Sequence, residues 1–66
     1  MQITLNGRSQ EISGPVNLHS LIEQFCGTRK MVVAEVNGHI IKKQAWPEHN
    51  ITDNDVVELV NFVGGG

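Results

Sequence analysis

Tyrosine is absent from this chain, tryptophan and cysteine occur once each, and proline occurs twice in 66 residues. The single cysteine, Cys26, excludes an intramolecular disulfide, and with no second soft ligand nearby it excludes a cysteine-based zinc site. A reducing cytoplasm is the expected home of such a chain. No run of about 20 apolar residues could cross a membrane, and the opening MQITLNGRSQ lacks the basic start and apolar stretch of a secretory signal. Positive charge is also scarce. Five Lys and Arg stand against seven Asp and Glu, a formal charge of −2, with no basic run beyond Arg29-Lys30 and Lys42-Lys43. Binding to nucleic acid draws on clustered cations, so nucleic acid is not an expected partner. Length sets a further bound. A chain of this size buries only about 60% of its unfolded surface on folding. One shallow core is expected, with little room for a cleft of roughly 300 Å³.

What is present reads as strands around one helix. Met1, Ile3 and Leu5 alternate with polar residues, Asn6-Gly7 follows, and Arg8 to Ser13 returns as a second extended run carrying Ile12. Asn-Gly between two extended runs predicts a hairpin, because both central residues of a type I′ turn need positive φ. After Gly14-Pro15 the period changes: Leu18, Leu21, Ile22 and Phe25 form one stripe of a short helix, with Asn17 as N-cap and Gly27 just past its end. Met31 to Val36, Asn37-Gly38 and His39 to Lys42 predict a second hairpin. Gln44 to His49 is irregular or a single helical turn, with Trp46 closing one end of the core. A polar turn, Thr52 to Asp55, leads into Val56 to Val63, the most β-prone stretch. The expected fold class is α+β: a mixed sheet of four to five strands, first and last strands central, with one main helix packed on one face.

The terminal Gly64-Gly65-Gly66 is the feature that folding explains least. Glycine has no side chain to bury and loses the most conformational entropy on ordering, so three in succession add nothing to a core and are expected to form a flexible tail. Extended, Val63 to Gly66 would reach about 14 Å, and without Cβ atoms the glycines fit a channel that excludes other residues. Such a tail can deliver a carboxylate into another protein's active site. A carboxylate is a poor electrophile. Conversion to an acyl-adenylate opens it to a nucleophile such as sulfur, in a closed site that keeps water away. The domain is then a carried substrate and not a catalyst. A frayed end is the common reading of terminal glycines, but here they follow the last strand with no linker.

This order and ending resemble the ubiquitin-like β-grasp sulfur carriers, and within them the thiamine-biosynthesis family, ThiS. The resemblance rests on Met-Gln-Ile-Thr-Leu-Asn-Gly at the start, Leu18-His19-Ser20-Leu21-Ile22, Val33-Ala34-Glu35-Val36-Asn37-Gly38, the Trp46 region, Asp53-Asn54-Asp55-Val56-Val57-Glu58, and the ending Val-Asn-Phe-Val-Gly-Gly-Gly. It implies one β-grasp domain over 1–66 with 64–66 as tail. It implies three partners: an adenylating enzyme of the ubiquitin-activating type (ThiF), a cysteine desulfurase acting indirectly, and thiazole synthase (ThiG). ThiF would use ATP and magnesium to adenylate Gly66, relayed sulfur would replace AMP to give a thiocarboxylate, and ThiG would use that sulfur to build thiazole. Gly65 and Gly66 match the family's functional pair and Gly64 extends it. The carrier itself would bind no cofactor. A carrier for molybdopterin or another pathway, and a ubiquitin-like non-covalent interaction module, are the alternative readings.

Residues two apart on a strand share a face. Val57 and Leu59 are expected inward, Val60 and Phe62 outward, since Glu58 fits solvent better than core. Val60 and Phe62 would then form a docking patch beside the tail. His19, His39 and His49 show no metal-ligand spacing and read as solvated side chains. Asp53, Asp55 and Glu58 lack the calcium-loop pattern and read as turn formers and a solvated face. Cys26 reads as a small buried hydrophobe. Cys26→Ser should therefore leave sulfur loading of the chain intact, as read by intact-protein mass spectrometry; loss of loading in a folded variant would make the thiol part of the chemistry.

Overall fold

Alternation in Gln2-Ile3-Thr4-Leu5 puts Ile3 and Leu5 on one side of a strand, and both are buried. The computed structural model describes residues 1–27 and 31–61. In it β1 (Gln2–Leu5) pairs antiparallel with β2 (Arg8–Glu11), and β3 (Val32–Val36) with β4 (His39–Ile41). Both connections are the expected tight turns: Asn6 and Gly7 have φ of 51° and 81°, Asn37 and Gly38 of 52° and 86°. β5 (Val56–Asn61) lies between the hairpins, parallel to β1 and antiparallel to β3, giving the sheet order β2-β1-β5-β3-β4. β5 is the middle strand and β1 its neighbour, so first and last strands are internal. Phe62 and Val63, read from sequence as the end of this strand, lie outside the described residues.

Helix α1 (Leu18–Cys26) crosses one face of the sheet. Asn17 caps it, its Oδ1 accepting from Ser20 N–H at 2.8 Å, and Gly27 N–H donates to Glu23 C=O at 3.0 Å. Its first turn is tied to the loop before β5 by Leu18 N–H donating to His49 C=O and Ile51 N–H donating to Val16 C=O. Leu18, Leu21 and Ile22 meet Ile3, Leu5, Ala34, Val36, Val57 and Leu59 in one core. Phe25 corrects the expected stripe. It is 39% exposed, and Cys26, one turn beyond Ile22, packs against the core in its place. The stripe of a nine-residue helix drifts around its axis, so the last turn presents a neighbouring position.

A 3₁₀ segment, Lys43–Glu48, replaces the expected single turn. Trp46 is buried there, its indole N–H donating to Ile41 C=O at 2.9 Å, which satisfies the polar handle of a core aromatic. Leu21→Ala is expected to lower the unfolding free energy by about 2–5 kcal/mol, most of what a domain of this size has. Phe25→Ala should cost distinctly less. Urea unfolding of the two variants checks this, and equal losses would contradict the placement of Phe25.

Candidate functional site

The strand that leads to the glycine tail is the one held at the centre of the sheet. Along β5, Val57 and Leu59 face the helix and are buried, while Val56, Glu58 and Val60 face away and are exposed. Val60, predicted as a docking residue, is 49% exposed on the open face. Its predicted companion Phe62, and Gly64, Gly65 and Gly66, lie outside the described residues. The inward row ends at Asn61, whose Oδ1 is buried without a hydrogen-bond partner. Asn61 is the last described residue of β5.

Side chains of both hairpin turns reach across to β5. Asn6 N–H donates to Val57 C=O at 2.9 Å, and Asn6 Oδ1 accepts from Leu59 N–H at 2.8 Å, extending the β1 ladder by one side-chain step. On the other side Asn37 N–H donates to Val56 C=O at 2.7 Å, Asn37 Oδ1 accepts from Val56 N–H at 2.9 Å, and Nδ2 donates to Asp55 Oδ1 at 2.9 Å. The turn signal was legible in Asn6-Gly7 and Asn37-Gly38. Their second use, as clamps on a strand remote in sequence, was not.

Asp55 is buried, which corrects its reading as part of a solvated face, though it does organise the turn. Its carboxylate accepts from Thr52 N–H at 2.8 Å, from Asn37 Nδ2 and from Thr52 Oγ1 at 3.0 Å. Burial pushes this carboxyl up, but those hydrogen bonds, with attraction from His49 when protonated, outweigh it and hold the group below the ordinary carboxylate range. Asp53 and Glu58 are exposed as expected, and Asp53 Oδ1 accepts from Gln2 N–H at 2.7 Å. His19 and His39 are exposed, whereas His49 is half-buried. Among the described residues no group of three or more His, Cys, Asp or Glu is placed to hold a metal ion. An open cleft of about 480 Å³, lined by Val36, Asn37, His39, His49, Thr52 and Asp55, exceeds the expected size. It arises at the surface between the second hairpin and the loop before β5, so it costs the core no volume. The acceptors of its one buried carboxylate are already taken. No helix of the described residues is long and apolar enough to cross a membrane.

Residues 3–66 match the profile of the ThiS family. The chain belongs to that family. It is 39% identical over 49 residues to the sulfur carrier protein ThiS of Bacillus subtilis, covering 74% of each chain. It superimposes on the crystal structure of the thiamine biosynthesis protein ThiS from Geobacter metallireducens with a TM-score of 0.83 and 29% identity, over 100% of both chains. The five-stranded mixed sheet with its one main helix is thus the ubiquitin-like β-grasp fold of ThiS. The whole chain also aligns, at 27% identity, with a thiazole synthase of Paramagnetospirillum magneticum, where it spans 20% of that protein's length.

The depressed carboxyl of Asp55 carries a pH dependence. Its stabilisation is complete above the unfolded value of about 3.9 and is lost as pH falls through the lower folded value. Asp55→Asn should be less stable at neutral pH by about 1–3 kcal/mol, since donors aimed at the carboxylate lose their acceptor. On acidification through the lowered folded value of Asp55 the two proteins should converge. Urea unfolding across that range tests it, and parallel curves would contradict the role of Asp55.

Proposed function

We propose that this chain carries sulfur for thiazole formation on the carboxyl group of Gly66. Membership of the ThiS family makes it a sulfur carrier of thiamine biosynthesis. The observation that carries the finer reading is that the family match runs through Gly66, five residues after the described end of the clamped central strand of the sheet.

In this reading a carboxylate oxygen of Gly66 attacks the α-phosphorus of ATP in an adenylating enzyme of the ThiF type, releasing pyrophosphate. ATP and magnesium belong to that enzyme. A persulfide sulfur, supplied through a cysteine desulfurase, then attacks the acyl carbon and AMP leaves; a thiol cleaves the resulting acyl disulfide, itself ending in a disulfide, and a terminal thiocarboxylate results. The part played by this chain is geometric. A stiff β5 aims the tail, and glycines at 64, 65 and 66 let it pass through a channel narrow enough to keep water from the mixed anhydride. The chain is a protein co-substrate, not an enzyme, and works in the cytoplasm. Val60 and Phe62 dock it beside the channel.

The synthase of the ThiG type is the proposed recipient. A segment similar to this chain forms a fifth of one thiazole synthase, and tethering of that kind raises effective concentration to the millimolar range. The test is intact-protein mass spectrometry after incubation with the adenylating enzyme, ATP, magnesium and a sulfide source. The expected gain equals replacement of one oxygen by sulfur and is absent when Gly66 is deleted. An unchanged mass, with an enzyme competent on the Bacillus subtilis carrier, would overturn the reading in favour of a non-covalent interaction module.

A further inference from the structure

The helix covers one face of the sheet, and the opposite face carries Val33, Ile40, Val56 and Val60 at 37%, 71%, 45% and 49% exposure. Strand register gathers these around two carboxylates. Glu35 of β3 stands directly opposite Glu58 of β5, and Ile40 of β4 stands opposite Glu35 on its other side. Two residues along the same strands, and so on the same face, Val33 stands opposite Val60. Two residues the other way along β5, Val56 stands opposite Thr4. Neighbouring strands lie about 4.8 Å apart and same-face residues along a strand about 6.8 Å apart. The carboxylates of Glu35 and Glu58 therefore sit among aliphatic side chains, with Val33 and Val60 at one end, Val56 at the other and Ile40 on the β4 flank, while Thr4 stands on the β1 side.

Folding has no use for this arrangement. Like charges directly opposite one another destabilise a sheet. Among the described residues neither carboxylate has an ion-pair partner; the ion pairs there join Met1 to Glu11 and His19 to Glu23. A partner that covered these aliphatic side chains without a cation would strand two anions away from water. A second copy of this chain is a poor occupant for the same reason, since two such faces would bring four carboxylates together. Anionic lipid and nucleic acid fail likewise. A guanidinium, planar and carrying five donors, can bridge two adjacent carboxylates.

We propose that this open face docks a protein partner presenting an arginine whose guanidinium bridges Glu35 and Glu58 while apolar side chains around it pack on Val33, Ile40, Val56 and Val60. The partner is the adenylating enzyme, an assignment that rests on the carrier reading above. Val60 lies on the strand that runs into the tail, so docking on this face and insertion of the tail are one continuous contact.

The test is steady-state adenylation of the purified chain carrying Glu35→Gln and Glu58→Gln, with thermal unfolding alongside and Glu23→Gln on the helix as control. Relief of like-charge repulsion should leave the midpoint of unfolding at or above that of the parent chain. Loss of the bridged cation should raise KM for the carrier about tenfold or more with little change in kcat, and should abolish the salt dependence of KM. Glu23→Gln should behave as the parent. If the double variant proves unstable, Glu58→Gln alone should show a smaller rise in KM of the same kind. An unchanged KM in a folded variant would overturn the docking proposal and leave the carrier reading standing. If the parent chain is not adenylated at all, the carrier reading fails. Calorimetric binding to the same enzyme then decides the docking proposal: a salt-sensitive affinity lost in the variant supports it, and equal affinities overturn it.

Discussion

The hydrogen bonds that two asparagine side chains accept from the central strand are the constraint on which the rest of this small domain depends. Asn6 and Asn37 each occupy a positive-φ turn position, which asparagine tolerates better than most residues, and each has an amide left to reach β5. Asn6 takes the N–H of Leu59 where β1 has run out of backbone, and Asn37 closes on Val56 and on the carboxylate of Asp55. The hairpins are thereby locked to the strand between them at both flanks. That strand supplies two buried side chains to the core, three exposed ones to the open face, and the path into the tail.

This division of labour follows from size. A single core around Leu18, Leu21, Val57 and Ile3 supports the fold with little to spare, and its apolar volume is used up by packing. In the proposed reading, chemistry is accordingly moved off the domain, to the glycines that follow β5 and to the active sites of larger proteins. The buried polar cluster at Asp55 belongs to the structural side of this arrangement, since the donors that reach its carboxylate, from Asn37 and Thr52, are spent on fixing the turn into β5. In the docking proposal the open face belongs to the functional side. It keeps Glu35 opposite Glu58, an arrangement that stability alone disfavours.

Local signals in the sequence were enough for the hairpins, the helix caps and the inward and outward rows of β5. Asn-Gly pairs, a capping Asn17 and a period of two act over a few residues, and the physics they report is equally local. Phe25 departs from its predicted stripe because a helix only two to three turns long meets a twisted sheet, and the position that faces the core in the last turn depends on that docking angle. Asp55 was read as solvated because its partners Asn37 and Thr52 come together only when the second hairpin pairs with β5. The juxtaposition of Glu35 and Glu58, 23 residues apart in sequence, is likewise a product of register. The reading of Gly64, Gly65 and Gly66 rests on sequence alone, since glycine in succession has no structural use and these residues lie outside the described ones.

The claim that side-chain clamps hold β5 can be read most directly from native-state hydrogen exchange at the Leu59 amide, which donates to Asn6 Oδ1. Asn6→Gly keeps the turn conformation and removes the acceptor, while Asn6→Asp keeps an acceptor. Leu59 should be strongly protected in the parent chain and in Asn6→Asp, and should lose protection selectively in Asn6→Gly, with the Val57 amide little changed. Equal protection of Leu59 in all three proteins would contradict a clamp at Asn6.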